Sequence, residues 1–180
     1  MATVWTIGHS NRAFEEFRDL LRASGVEQAA DIRRYPASRK WPHFDAASLA
    51  VSLPESGIGY LPMPELGGRR RPKPDSPHAA WRNDMFRGYA DFLDTADGSA
   101  GLARLEEAAR SVPTAFFCAE AVPWRCHRSL VADALVARGW TVRDILAASD
   151  VRIHALPGFA RVVAGRVIYD AAPGGSLPLS

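Results

Sequence analysis

The constraint that narrows the fold most is an alternation of two hydrophobic periods. Residues 4–8, VWTIG, form a β-rich run, and Phe14, Phe17, Leu20 and Leu21 then recur at helical spacing, with Ser10 or Asn11 as a cap and Gly25 as a stop. QAADI (28–32) predicts a second strand, apolar without alternation and therefore buried on both faces. GIGYLPM (57–63) predicts a third, PTAFFC (113–118) a fully buried fourth, and TVRDIL (141–146) a fifth. Helical patterns lie between them: 45–52 capped by Asp45, a segment around Phe86, Tyr89, Ala90 and Leu93, one capped by Ser99 with Leu102, Leu105 and Ala109, and about 126–138 stopped by Gly139. ARVV and RVIYD flank Ala164-Gly165 and predict a C-terminal hairpin. Strand–helix alternation predicts an α/β sandwich, one domain over residues 1–170, with a mainly parallel sheet flanked by helices; 171–180 reads as a flexible tail. In such folds ligands bind beyond the carboxyl ends of the strands, so function is expected in the segments that follow them.

Composition removes other classes. With 47% hydrophobic and 23% charged residues in 180, the chain is neither disordered nor fibrous as a whole. No apolar run approaches the roughly 18 residues of a membrane span, and MATVWTIGHS lacks the pattern of a signal peptide. Two cysteines do not make a disulfide framework, and a cytoplasmic, membrane-free protein is expected. The net charge of +2 is uneven: residues 31–90 carry ten Lys/Arg against six Asp/Glu. Of the 22 basic residues 20 are arginine, whose fork grips phosphate or carboxylate, although a solvated surface is the plainer use of most of them.

Three post-strand segments carry chemistry. Gly8-His9-Ser10-Asn11-Arg12 opens a helix, where free N–H groups favour an anion; a tight capped turn is the plainer alternative. Asp31-Ile32-Arg33-Arg34-Tyr35-Pro36-Ala37-Ser38-Arg39-Lys40 places four cations beside an acid, with Tyr35 and Trp41 interleaved as in phosphate clamps and base-stacking surfaces. Asp31 is read as the orienter of an arginine, as a base, or as half of a structural ion pair. In the third segment Cys118 ends a strand while Cys126, His127 and Arg128 open a helix, so Cys126 is expected to be the more acidic thiol and Cys118 buried and slow. Glu120 is a proton carrier, or an orienter for His127 or an arginine. Six residues between Cys118 and Arg125 are one too many for a cysteine-phosphatase loop. Zinc on Cys118, Cys126, His127 and His9 would lack a standard spacing, and adjacent Cys-His reaches one ion with difficulty, so no metal is assigned. Glu65-Leu66-Gly67-Gly68 followed by three arginines reads as a mobile basic lid or a plain loop.

TIGHSNR (6–12), DIRRYPASR (31–39), YLPMPELGG (60–68), FRGYADFL (86–93) and CAEAVPWRCHRSLVADAL (118–135) together resemble the bacterial and archaeal family called domain of unknown function 488, over about residues 3–146. The resemblance implies an α/β fold and no settled activity or cofactor. It marks as candidates His9, Ser10, Arg12, Asp31, Arg33, Arg39, Tyr60, Glu65, Gly67, Gly68, Tyr89, Cys118, Glu120, Cys126, His127 and Arg128. His9, Asp31, Glu120, Cys126 and His127 are expected in catalysis and the others in substrate binding. His9, Asp31, Arg33, Glu120 and Arg128 are expected to face one cleft. The leading expectation is an enzyme acting on a phosphate-bearing small molecule or nucleic acid. The alternatives are a non-catalytic nucleotide- or nucleic-acid-binding module, with Tyr35, Trp41 and Trp81 stacking on bases, and a thiol redox protein, which needs the two Cα atoms within about 7 Å.

Overall fold

The computed structural model describes residues 1–170, so the expected tail lies outside the described residues. A six-stranded sheet runs in the order β3-β2-β4-β1-β5-β6. Its strands are β1 (Thr3–Gly8), β2 (Gln28–Asp31), β3 (Gly59–Pro62), β4 (Thr114–Cys118), β5 (Thr141–Ala147) and β6 (Asp150–Ile153). The first five pair in parallel and β6 turns back antiparallel on β5. β7 (Ala160–Val163) and β8 (Arg166–Tyr169) form the expected hairpin. The fold is thus the predicted α/β sandwich.

Side-chain alternation along the strands divides the core in two. Ile7, Ala29, Ala115 and Phe117 face α1 (Phe14–Ala23) and α2 (Ala46–Glu55), packing on Phe17, Leu21, Leu49 and Leu53. Val4, Ala30, Phe116 and Cys118 face the other way, toward α3 (Asp84–Leu93), α4 (Ala96–Ser111) and α5 (Arg128–Ala137). β4 is buried at every position, as the run TAFFC requires in a strand covered on both sides.

Three helix starts differ from expectation. α1 begins after Ala13 with no side-chain cap, so Ser10 and Asn11 lie in the preceding turn, where His9 and Ser10 N–H donate to the carbonyls of Cys118 and Ala119. α4 begins at Ala96, where Thr95 rather than Ser99 accepts the N–H of Gly98. α5 begins at Arg128, not 126: Pro123 starts a 3-10 turn over 123–125 that leaves Cys126 extended at φ −134°. One buried polar tie was not anticipated. The His154 ring donates to Asp144 of β5 and to Asp133 of α5, both at 2.8 Å, and Tyr169 of β8 donates to Asp133 at 2.6 Å.

Candidate functional site

Parallel register brings three strand ends to one level. Gly8 lies beside Cys118, and Asp31 beside Phe117. The ladder continues past the strands, with His9 N–H donating to the Cys118 carbonyl and Ser10 N–H to the Ala119 carbonyl, each at 2.9 Å. Gly8 is required there, since a Cβ would stand 1.7 Å from the Glu120 carbonyl oxygen. His9 and Asp31 then point toward the α1/α2 face and Cys118 toward the α3–α5 face.

On the first face the polar groups are locked to one another. Arg33 Nε and Nη2 donate to the two oxygens of Asp31 at 2.8 and 2.6 Å, and Tyr60 donates to Asp31 Oδ2 at 2.8 Å. Arg33 Nη1 sits 3.2 Å from His9 Nε2. A guanidinium only donates, so Nε2 accepts, and the His9 proton is on Nδ1, which donates to the Ser10 carbonyl at 2.9 Å. Burial, then the Arg33 charge, lower the His9 pKa to about 4, so the ring is neutral near pH 7. Burial, then the Asp31 carboxylate, raise that of Tyr60. The alternative in which Asp31 orients an arginine is the one this geometry matches; both Asp31 oxygens and both His9 nitrogens are already engaged.

On the second face two thiols and an imidazole converge. His127 Nδ1 lies 3.9 Å from Cys118 Sγ and 3.7 Å from Cys126 Sγ, while Nε2 lies 3.2 Å from the Ile32 carbonyl. A carbonyl only accepts, so Nε2 carries the proton and the Nδ1 lone pair faces the sulfurs. Tyr89 packs its ring 4.8 Å from the His127 ring and donates its hydroxyl to the Leu66 carbonyl. Gly68 covers the imidazole so closely that a Cβ would stand 2.9 Å from Nδ1. Cys118 is drawn below the ordinary thiol range by the neighbouring Cys126, against the effect of burial and with help from His127. Cys126 is raised by its closeness to Cys118 and by burial. The corrected helix start leaves Cys126 extended ahead of α5, with its sulfur within 4.8 Å of the Cys118 sulfur.

Both groups open onto a cleft. A cavity of about 490 Å³ has Cys118, Cys126 and His127 among its walls, together with Arg33, Arg34, Arg69, Arg125, Tyr35, Trp124 and Glu120. A neighbouring hollow of about 430 Å³ is lined by His9, Ser10, Lys40 and Trp41, and shares Arg33, Tyr35, Ala119 and Glu120 with it. His9, Arg33 and Glu120 therefore meet in one cleft, with Asp31 beneath Arg33.

Other candidates lie elsewhere. Arg128 is fully buried and does not face the cleft; it donates to Thr6 Oγ1 at 3.2 Å and to the carbonyls of Glu120 and Ala121, bracing the loop from below. Arg12 turns back to the carbonyls of Gly8 and Leu146. Tyr89 is fully buried and acts on His127, not on a ligand. Glu65 pairs with Arg104, and Arg39 is exposed outside both hollows. Gly67 packs on the backbone of Arg34. Glu120 does not orient His127; the Ile32 carbonyl does. The basic lid divides, with Arg69 in the cavity wall and Arg70 stacked 3.8 Å from the Phe92 ring centroid. Trp81 packs among Phe86, Phe159 and Tyr169 and presents no stacking face there. Arg34, Arg69, Trp124 and Arg125 are wall residues missing from the candidates; Arg34, Trp124 and Arg125 lie inside marked motifs and Arg69 directly follows one.

A model of the family described as "Domain of unknown function DUF488" matches residues 13–135. No curated protein and no solved structure matches the chain.

Proposed function

The chain belongs to the DUF488 family, and from that kinship, which carries no activity of its own, we propose an enzyme that acts on a phosphate-bearing substrate, a nucleotide or nucleic acid, in the cleft at the carboxyl edge of the sheet. One observation supports this above the rest: four arginines line a cavity whose wall also holds two thiols and an imidazole. Arg34, Arg69 and Arg125 grip phosphate oxygens, and Arg33, fixed by Asp31, presents its remaining edge without reorganising. Tyr35 and Trp124, exposed by 67% and 63%, offer faces on which a base stacks. Cys118, Cys126 and His127 form the reactive centre, and Glu120, exposed at the cleft wall, moves protons. Buried free thiols suit a reducing compartment such as the cytoplasm.

A non-catalytic binding module would use the same arginines and aromatics and leave the thiol–imidazole group idle. The test measures binding of nucleoside phosphates and single-stranded oligonucleotides, then turnover of those that bind. The enzyme reading expects Arg34→Ala and Arg125→Ala to weaken binding and Cys118→Ser to abolish turnover while binding persists. Binding without turnover identifies the module, and absence of binding removes the substrate class.

A further inference from the structure

We propose that Cys118, Cys126 and His127 bind one thiophilic divalent cation, Zn²⁺ by preference, leaving its fourth position open to the cleft. The three donor atoms all lie within 4.8 Å of one another, with Nδ1 at 3.9 and 3.7 Å from the sulfurs. In a tetrahedral site with Zn–S near 2.3 Å and Zn–N near 2.0–2.1 Å, neighbouring S and N donors stand roughly 3.5 Å apart. The two S···N separations therefore need to close by only a few tenths of an ångström, and the two sulfurs, within 4.8 Å of each other, by up to about 1 Å to reach the roughly 3.8 Å of such a site.

The surroundings are those of ligands already prepared. His127 donates its Nε2 proton to the Ile32 carbonyl, which fixes the tautomer whose Nδ1 lone pair faces the sulfurs. Tyr89 and Gly68 hold the ring from two sides. Adjacency in the chain does not prevent convergence, because the extended Cys126 and the helical turn at His127 bring Sγ and Nδ1 to the same point.

Two sulfurs and an imidazole select Zn²⁺ over Mg²⁺ or Ca²⁺, and three protein ligands facing a cavity are the arrangement of a catalytic rather than a structural zinc. Each sulfur binds as thiolate with its proton passed to solvent, and no oxidation state changes. The inference rests on the proposed function only for what the ion acts on: its open position would take a water or a phosphate oxygen beside the arginines.

The experiment titrates the reduced, metal-stripped full chain with Co²⁺. One ion per chain is expected, with a thiolate-to-cobalt charge-transfer band and the intense visible bands of a tetrahedral site, all displaced by Zn²⁺. Cys118→Ser, Cys126→Ser and His127→Ala should each abolish the visible bands, while Arg39→Ala, outside the cleft, keeps them. A measurement on the unmutated chain guards against misfolded variants: stoichiometric Zn²⁺ should shield both thiols from an alkylating reagent. Weak octahedral cobalt spectra, bands that survive Cys126→Ser, or thiols that alkylate equally fast with and without zinc would overturn the proposal. Nucleotide binding is measured in parallel on the metal-free chain. Binding there without metal uptake removes the zinc alone, and zinc uptake without nucleotide binding removes the substrate class alone.

Discussion

Asp31 carries the polar architecture of the cleft at the scale of a single side chain. It is 1% exposed and accepts from Arg33 and Tyr60 with both oxygens. Removing its charge strands a guanidinium that is 7% exposed, and breaking such a buried pair costs about 3–5 kcal/mol. Asp31→Asn is expected to lose stability in that range by urea denaturation, and Tyr60→Phe about 1 kcal/mol. A loss under about 1 kcal/mol for Asp31→Asn would mean that cleft solvent, not the carboxylate, carries the Arg33 charge. The pair was legible in the sequence because Asp31 and Arg33 are two residues apart at a strand end. The thiol–imidazole group was legible only as a list of residue types. Its geometry depends on Cys126 lying extended between the 123–125 turn and α5, a break that no side-chain pattern displays.

At the scale of elements, His154 fastens the end of β6 to β5 and α5. Burial alone would lower its pKa, but hydrogen bonds to Asp133 and then Asp144 outweigh that and raise it to about 9 from 6.5. Tyr169 on Asp133 and Arg128, 3.9 Å from Asp144, complete the cluster. The folded pKa is the higher one, so the stabilisation is complete below about pH 6.5 and is lost as pH rises through about 9. Denaturant titrations at pH 6 and 10 are expected to differ by on the order of 3 kcal/mol, and His154→Gln should flatten the difference. An unchanged pH profile in that variant would assign the dependence to another group. The strands were readable because TAFFC and QAAD admit only burial on both faces. β6 was not, since DVRI alternates polar and apolar residues over only four positions, too short a run to stand out, and is exposed over most of its length. α4 was misplaced because Thr95 and Ser99 are equal capping candidates in sequence, and the fold chooses between them by packing Gly98 against the Phe92 carbonyl.

For the whole molecule, the modest net charge conceals a cleft fringed by Arg33, Arg34, Arg69 and Arg125. If Arg34, Arg69 and Arg125 each meet a phosphate, the logarithm of affinity for a single strand should fall with the logarithm of salt at a slope of about −2, and Arg69→Ala should reduce that slope by about 0.7. A slope near zero would mean that the arginines face solvent and not the ligand. The matched segment 13–135 omits β1, which lies between β4 and β5, and also β5 and Asp144. That fragment alone is expected to show no cooperative unfolding transition by circular dichroism, whereas residues 1–170 should. The position of β1 also has a consequence in time. Both its partners come from the far half of the chain, β4 ending at Cys118 and β5 at Ala147. At the pace of a ribosome, about 5–20 residues per second, the apolar segment VWTIG waits on the order of ten seconds for its neighbours. Until β4 and β5 have been made, this apolar strand has no sheet partner, and an unpaired strand is where a growing chain is most prone to misassociate.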